Sequence, residues 1–344
     1  NNGVTNTTSP VTVATLTGTV SFSQIGTSSW SQIAAGGNAS AGITTANSLF
    51  AWGDNSVGQL GDYTTTNKLV PAPVKPVSWV YVAKGVNFSA AIRNDGLLFT
   101  WGTNSAGQLG DGTVVQRSSP VQIGYSSWSA VSCGALHTVA LLSDSTAWSW
   151  GTGTNGATGQ NDAVNRSSPT QIGTGSWVQV IASKIINFSL GIRSDNTLYS
   201  WGVNTAGQLG QGDLVQRSSP TQIGTSSWIQ VSAGSFAAAI RSDGGLFTWG
   251  PNGAGGLGQN DIVSRSSPVQ VGTSSWTQIA TSINNGYMFA IRTDGGLFGW
   301  GINTGGQLGL NDVLNRSSPV QVGTSSWIQV AAGTTNTFAI KTDN

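Results

Sequence analysis

Charged side chains are scarce in this chain of 344 residues, because Asp, Lys and Arg together make up 8% of the sequence and glutamate is absent. The formal net charge is only +1, which gives no electrostatic footprint for nucleic acid or for an anionic membrane. Uninterrupted apolar runs of 18 residues are also missing, so no segment is suited to span a bilayer as a helix. The sequence therefore predicts neither a nucleic-acid partner nor membrane insertion.

Cysteine and histidine occur once each, at Cys133 and His137. A single cysteine cannot form an internal disulfide, and these two residues cannot hold a zinc ion on their own. A hydrolytic triad needs a His beside a nucleophile, but His137 lies in an apolar stretch that is typical of a buried strand. We therefore predict no catalytic residue, no metal site and no cofactor.

The carboxylates that do occur recur at regular intervals. Twelve of the thirteen Asp residues form two series, Asp95, Asp144, Asp195, Asp243, Asp294 and Asp343, and Asp62, Asp111, Asp162, Asp213, Asp261 and Asp312. General acid–base catalysis needs two carboxylates with different environments in one cleft, which such a distribution does not provide. The pattern indicates turn formers and ion pairs placed by a repeating scaffold.

Tryptophan, by contrast, is abundant and regularly spaced. Six Trp-Gly pairs begin at Trp52, Trp101, Trp150, Trp201, Trp249 and Trp300. A second series of seven Trp residues, each preceded by Ser, consists of Trp30, Trp79, Trp128, Trp177, Trp228, Trp276 and Trp327. Thirteen of the fourteen Trp residues therefore recur every 48 to 51 residues, and Trp148 alone lies outside both series. A period of about 50 residues is typical of propeller blades.

A single repeat is best interpreted as a set of four strands. Residues 228–232 alternate in polarity and residues 236–240 are continuously apolar, which predicts a first strand and a buried second strand. The Asp-Gly pair at 243–244 predicts a tight hairpin into a third strand over 246–249. The fourth strand, over 265–272, contains a proline that a sheet edge tolerates. These features predict an all-β chain.

The repeated motif resembles that of a known family. The pattern Leu-x-x-Trp-Gly-x-Asn followed by Gly-Gln-Leu-Gly is similar to the regulator of chromosome condensation repeat, and the resemblance covers roughly residues 21–344. Clear copies occupy residues 52–61, 101–110, 201–210 and 300–309, whereas the third copy has Gly153 in the Asn position. The resemblance implies a seven-bladed β-propeller with four-stranded blades of about 50 residues. The family includes nucleotide-exchange factors, ubiquitin ligase modules and a secreted β-lactamase inhibitor, so the function stays open.

The two ends of the chain look like complementary parts of one repeat. Residues 2–11 align with residues 311–320, and the unit that begins at Trp327 stops before its Trp-Gly strand. We therefore expect residues 1–20 to supply closing strands to the last blade of a propeller that spans residues 21–344, because closure removes open sheet edges. The alternative is a longer parent protein cut within a repeat.

The turns between first and second strands vary most from one repeat to the next, and loops on a rigid scaffold are where binding usually occurs. The residues that we expect to contact a partner lie in the longer of these turns: Lys84, Val86, Lys184, Ile185, Ile186, Asn284, Asn285 and Tyr287. Variation without a function is the alternative interpretation of these positions.

Two functional hypotheses remain open. The low charge and the abundance of Ser, Thr, Asn and Gly favour a non-enzymatic binding or structural propeller located outside the cell, on a cell surface or on a virion. Its partner would be a protein, a glycan or a larger particle. The alternative is a protein-binding regulator, such as an exchange factor for a small GTPase or an inhibitor of a secreted enzyme. The chain shows neither the wedge insertion nor the basic tail expected of an exchange factor.

Overall fold

The computed structural model describes residues 10–13, 22–283 and 286–342, with side chains from residue 25 onward. Within these ranges the regular structure is all-β, apart from a 3-10 turn over Thr154–Gly156. The first strands are β1 Pro10–Val13, β2 Phe22–Gln24, β3 Trp30–Ala35, β4 Ala39–Thr44, β5 Leu49–Gly53, β6 Lys68–Pro73, β7 Trp79–Lys84, β8 Phe88–Arg93, β9 Leu98–Gly102, β10 Arg117–Gln122, β11 Trp128–Cys133 and β12 His137–Leu142. They are followed by β13 Thr146–Gly151, β14 Arg166–Ala182, β15 Phe188–Arg193, β16 Leu198–Gly202, β17 Arg217–Gln222, β18 Trp228–Ala233, β19 Ala237–Arg241, β20 Gly245–Gly250, β21 Arg265–Thr281, β22 Tyr287–Arg292, β23 Gly296–Gly301, β24 Arg316–Ala332 and β25 Thr337–Lys341.

Antiparallel pairing of consecutive strands forms the predicted four-stranded units. In one of them, β7 pairs with β8, β8 with β9 and β9 with β10. The other units follow the same order, namely β3–β6, β11–β14, β14–β17, β18–β21, β21–β24, and β24 and β25 with β1 and β2. We name each unit by the strand that begins it, and β14, β21 and β24 each contribute their first part to one unit and their second part to the next.

In three units the fourth strand continues into the following unit instead of ending at a linker. β14, β21 and β24 are each 17 residues long, whereas the sequence predicts a fourth strand that stops near residue 272. The difference arises because the linker itself stays paired. Ser275 lies opposite Gly245, directly after the hairpin of the same unit, and Ser176 lies opposite Thr146.

The strand order gives every unit two distinct ends. Phe88 at the start of β8 lies opposite Gly102 at the end of β9. The turn over residues 85–87 and the loop over residues 103–116 therefore lie at the same end, and we call the surface formed by these turns and loops the turn face. The hairpin over residues 94–97 and the linker after β10 lie at the opposite end, the hairpin face. First strands of all the units line one central cavity of about 240 Å³.

Buried tryptophans explain why the Trp-Gly pairs recur. Trp249 is fully buried, and its indole Nε1 donates a hydrogen bond to the carbonyl of Gln208 in the preceding unit, 2.8 Å away. Trp228 packs edge-to-face against the same ring at 6.4 Å between centroids, a preferred aromatic geometry. Equivalent bonds join Trp101 to Gln59, Trp150 to Gln108 and Trp201 to Ala157. Each bond connects one unit to its neighbour.

This contact also explains the second glycine of the Gly-Gln-Leu-Gly motif. Gly210 has a φ angle of +68°, which favours glycine, and a Cβ atom there would lie 2.8 Å from Nε1 of Trp249. A side chain at residue 210 would therefore separate the indole from its acceptor. The motif and the Trp-Gly pair form one packing arrangement.

Glutamine side chains join neighbouring first strands around the cavity. Gln179 of the β14 unit donates from Nε2 to the carbonyl of Val231 and accepts a bond from the backbone N–H of Val231 at 2.9 Å. Gln32 makes the same two bonds with Val82. These bonds satisfy backbone groups that would otherwise be unpaired at the edge of the first strand.

The two ends of the chain meet in one unit. β1 pairs with β25, with Val11 opposite Ala339, and with β2 on its other side. The same unit contacts the β3 unit, since Gln329 accepts a hydrogen bond from the backbone N–H of Ile33 and Trp52 packs edge-to-face on Phe338. Closure of a propeller by this unit stays a prediction.

Candidate binding face

The structure separates the predicted contact residues into three groups. Val86, Lys184, Ile185 and Ile186 are half-buried in turns of the turn face. Asn284 and Asn285 lie outside the described residues. Lys84 and Tyr287, in contrast, are fully buried, so their side chains do not reach a partner at the surface as the sequence led us to expect.

The burial of Lys84 and Tyr287 has a physical cause in each case. Lys84 is the last residue of β7 and not part of the turn, and Tyr287 begins β22. The hydroxyl of Tyr287 donates to the carbonyl of Gly333 in the next unit, 3.0 Å away. Tyr287 therefore joins two units. That the turns themselves contact a partner stays a prediction.

Two lysines lie close to the central axis at the turn face. The Nζ atom of Lys184 donates to the carbonyl of Ala35 at 2.6 Å, which links the β14 unit to the β3 unit across the central cavity. The Nζ atom of Lys84 donates to the carbonyl of Gln59 and to the Ser89 hydroxyl, at 2.8 and 2.7 Å. We call Lys84 and Lys184 the axial lysines.

Burial disfavours the charged form of both axial lysines. It lowers the pKa of Lys84 to about 7 and that of Lys184 to about 8. The thiol of Cys133 lies near both ammonium groups, and burial raises its pKa to about 12, so it stays neutral at pH 7. The axis of the turn face therefore carries positive charge that the neighbouring thiol does not neutralise.

The long loops between third and fourth strands form the outer part of the turn face. In the β14 unit, the buried Asn204 accepts a bond from the backbone N–H of Leu209 and donates to the carbonyls of Asp213 and Val215. Asp213 accepts a bond from the backbone N–H of Val215 and pairs with Arg217. These bonds explain the Asn of the repeated motif, and they fix the loop backbone.

Each of these rigid loops exposes apolar side chains. Leu214 and Val215 are 59% and 60% exposed although the backbone beneath them is held in place. The corresponding exposed residues of the other units are Val114 and Val115, Val164, Ile262 and Val263, and Val313 and Leu314. We call this set the loop apolar residues. Sequence reasoning missed them, although an apolar pair two residues before each Arg-Ser-Ser-Pro segment was a readable signal.

His137 and the hairpin carboxylates take part in structural contacts. His137 is fully buried, with Nε2 at 2.9 Å from the Ser189 hydroxyl of the next unit, and burial lowers its pKa to about 4. Asp243 pairs with Arg241 in the hairpin, and this guanidinium lowers the pKa of the carboxyl to about 2. Over residues 22–283 and 286–342, no group of three His, Cys, Asp or Glu residues could hold a metal ion. The described part of the chain also has no helix long and apolar enough to cross a membrane.

Comparison with known families supports the repeat assignment. A profile described as "Regulator of chromosome condensation (RCC1) repeat" matches residues 47–92, 95–141, 195–240, 243–285 and 294–340, and a second profile of the same description matches residues 30–59 and 128–157. Together they cover more than half of the chain. The chain belongs to the RCC1 repeat family. No curated protein matches its sequence.

Solved structures share the fold of this RCC1 repeat chain at low sequence identity. Human WBSCR16 is 21% identical with a TM-score of 0.85, and the alignment covers 98% of this chain and 99% of that one. Prp20p from Saccharomyces cerevisiae is 19% identical with a TM-score of 0.80, over 91% and 82% of the two chains. The CRINKLY WD40 ectodomain of the Arabidopsis thaliana receptor kinase ACR4 is 15% identical with a TM-score of 0.53, over 89% of each chain. At these identities the likeness shows the fold alone.

Proposed function

We propose that this RCC1 repeat chain is a non-enzymatic propeller that binds a partner protein through its turn face. The observation that carries the proposal is the set of loop apolar residues. Side chains such as Leu214 and Val215 are more than half exposed on a backbone that Asn204 and Asp213 hold rigid. Apolar residues fixed in this way lose little conformational freedom when a partner covers them, which favours binding.

The hairpin face offers a weaker case for the same role. Among the described residues, the large apolar side chains exposed on this face do not form adjacent pairs in the sequence, and isolated apolar residues are normal on protein surfaces. They are Val80, Tyr125, Val178, Ile229 and Ile328. In the described part of the chain, adjacent exposed apolar pairs recur in four loops of the turn face, and elsewhere only Leu69 and Val70 of β6 form such a pair. The turn face is therefore the better candidate for a binding surface.

Of the two functions that the sequence leaves open, we favour the protein-binding regulator. The yeast Prp20p, which shares the fold, is described by its binding to Gsp1p and histones, and this supports a protein rather than a glycan as partner. An extracellular or virion location is a separate proposal that rests on the low charge of the chain. A release assay with a labelled nucleotide on a bound GTPase would test the exchange-factor case.

We further propose that the units form a closed ring of seven blades, with the N-terminal segment completing the last one. Support comes from the pairing of β1 with β25 and from the contact of Gln329 with Ile33. If the ring is closed in this way, a Val11→Cys, Ala339→Cys pair in a Cys133→Ala background should oxidise to a disulfide within one chain. A pair of cysteines at Val11 and Lys341, two residues out of register, is the matched control. Equal cross-linking of both pairs would contradict the closure.

Replacing loop apolar residues should abolish partner binding without unfolding the chain. The variant carries Leu214→Ser, Val215→Ser, Ile262→Ser and Val263→Ser, and we expect about a tenfold or greater loss of retained partner, because a few buried apolar contacts dominate most interfaces. The measurement is quantitative capture from an extract of the source cells on the immobilised chain, with the melting temperature recorded for every variant.

The matched control places the same chemical change on the other face. Its substitutions are Val80→Ser, Val178→Ser, Ile229→Ser and Ile328→Ser, and it should retain the partner. The proposal is wrong if this control loses the partner while the loop variant keeps it.

A further inference from the structure

Almost every charged residue of the chain recurs at the same place in several units. Lys68 and Lys341, for instance, occupy positions that are Arg in other units, opposite Gly53 and Trp327 in the same strand register. Four charges break the repeat: Asp54, Lys75, Lys84 and Lys184. Three of them, Asp54 and the two axial lysines, lie at the turn face. The charges that depart from the repeat pattern therefore lie mainly on the turn face.

Packing alone does not require a lysine at residue 84. The residues that end the first strand in the other units are Ala35, Cys133, Ala182, Ala233, Thr281 and Ala332. These small neutral side chains show what the fold accepts at this position. Burying an ammonium group there costs free energy that burying an alanine side chain does not cost. Groups that lower stability in this way are common at functional sites.

Within the described part of the chain, the axial lysines use only part of their hydrogen-bonding capacity. An ammonium group has three N–H donors, and there Lys184 donates to one acceptor and Lys84 to two. Among the described residues neither lysine takes part in an ion pair. The nearby carboxylate of Asp54 is held by the Nε2 of Gln59 and by the Ser56 hydroxyl, at 2.8 and 3.1 Å.

We propose that the axial end of the turn face is a receptor site for one carboxylate side chain of the partner protein, bound by Lys184 with Lys84 behind it. The site rests on the proposed function, because the same partner covers the turn face. The carboxylate displaces the neutral carbonyl of Ala35 from the Lys184 ammonium group. A charge-assisted bond is shorter and roughly twice as strong as one between neutral groups, which makes this exchange favourable.

The surroundings of the axial lysines favour a carboxylate over other anions. Phosphate groups are commonly held by forked arginine side chains or by nests of backbone N–H groups, and all nine arginines stand at the two repeat positions in the hairpins and before Ser-Ser-Pro. The cavity of about 240 Å³ is too small for a nucleotide but accommodates the end of an Asp or Glu side chain. The titratable groups at this end of the axis are Lys84, Lys184, Asp54, Cys133 and Tyr81. Because Lys84 is fully buried, Lys184 alone offers a cation to a ligand.

The site can be tested by adding a short peptide and following the NMR signals of the lysine side chains. The chain has only five lysines, so these signals are few. The probe is acetyl-Gly-Glu-Gly-amide, and acetyl-Gly-Gln-Gly-amide is its uncharged control. We expect only the glutamate peptide to shift the Lys184 signal and to raise the pH at which this lysine titrates. Lys184→Met should weaken peptide binding about tenfold or more, as expected for a lost bond to a charged group. Lys75→Met, which removes an exposed lysine elsewhere, should change nothing.

Three results would overturn the carboxylate site. They are an unchanged Lys184 signal at saturating glutamate peptide, an equal shift with the glutamine peptide, and tighter binding of inorganic phosphate than of the peptide. Failure of this site is distinguishable from failure of the proposed function. If Lys184→Met leaves capture of the partner intact and the loop variant abolishes it, the turn face binds a partner without the axial carboxylate.

Discussion

Replacing Trp249 with alanine should lower the free energy of unfolding by about 3–5 kcal/mol, the usual range for a large buried aromatic side chain. The indole is fully buried, so its removal leaves a cavity between two units. The carbonyl of Gln208 also loses the donor that satisfies it in the native chain. Urea denaturation followed by circular dichroism measures the change, provided that the unfolding transition stays two-state.

Trp148 provides the matched control for this substitution. It occupies the third-strand position that is Phe50, Phe99 or Phe298 in other units, and it is only half-buried. Trp148→Phe keeps the aromatic contact with Trp128 and should cost less than about 1.5 kcal/mol, as conservative core changes do. A Trp249→Ala protein that is as stable as Trp148→Phe would show that these indoles do not hold neighbouring units together.

Raising the pH from 7 to 9 should stabilise the protein by about 2 kcal/mol through Lys84, since one pKa unit corresponds to about 1.36 kcal/mol. Burial lowers the pKa of this lysine to about 7 in the folded chain, whereas an exposed lysine titrates near 10.4. Between these values the unfolded chain binds more protons than the folded chain, so stability rises with pH. The full penalty is present below pH 7, where both states are protonated.

Lys84→Met should remove most of this pH dependence and should be at least as stable as the natural chain at pH 7. Methionine fills the space without a charge, and the hydroxyl of Ser89 keeps its own bond to Gln59. A shallower slope should remain because the pKa of Lys184 is lowered to about 8. The measurement is urea denaturation at pH 6, 7, 8 and 9 in a Cys133→Ala background, because burial raises the pKa of this thiol only in the folded chain and the unfolded thiol ionises near pH 9. An unchanged pH profile in Lys84→Met, with Lys75→Met as control, would contradict the burial of this ammonium group.

Spacing in the sequence was sufficient to predict an all-β chain of repeated four-stranded units. Recurring Trp and Asp-Gly signals depend on contacts within a unit or between adjacent units, so each appears as a fixed interval along the chain. The hairpin at Asp243 and the buried strand at 237–241 lie close to their predicted positions. The family match then agrees with the resemblance that the Trp-Gly-x-Asn motif implies.

The orientation of the axial residues could not be predicted in the same way. A register shift near the start of the first strand, between Trp79 and Tyr81 in β7, recurs in the other units. The last residue of that strand is buried in each of them, Lys84 included. Such a bulge leaves no sign in the sequence. The position of Tyr287, in contrast, could have been predicted, because aligning this residue with Phe88 and Phe188 places it in the second strand. The hydrogen bond from Lys184 to the carbonyl of Ala35 depends on how all the units are arranged around the cavity, which no local sequence pattern predicts.

The uninterrupted strands have a consequence for re-engineering the chain. β14, β21 and β24 each belong to two units, so new termini introduced within them would sever two sheets at once. The linkers after Gln122 and Gln222 lie between separate strands, and a circularly permuted chain that opens at either one would leave every sheet intact. Modules cut at those two boundaries are the natural building blocks for longer or shorter arrays made from this sequence.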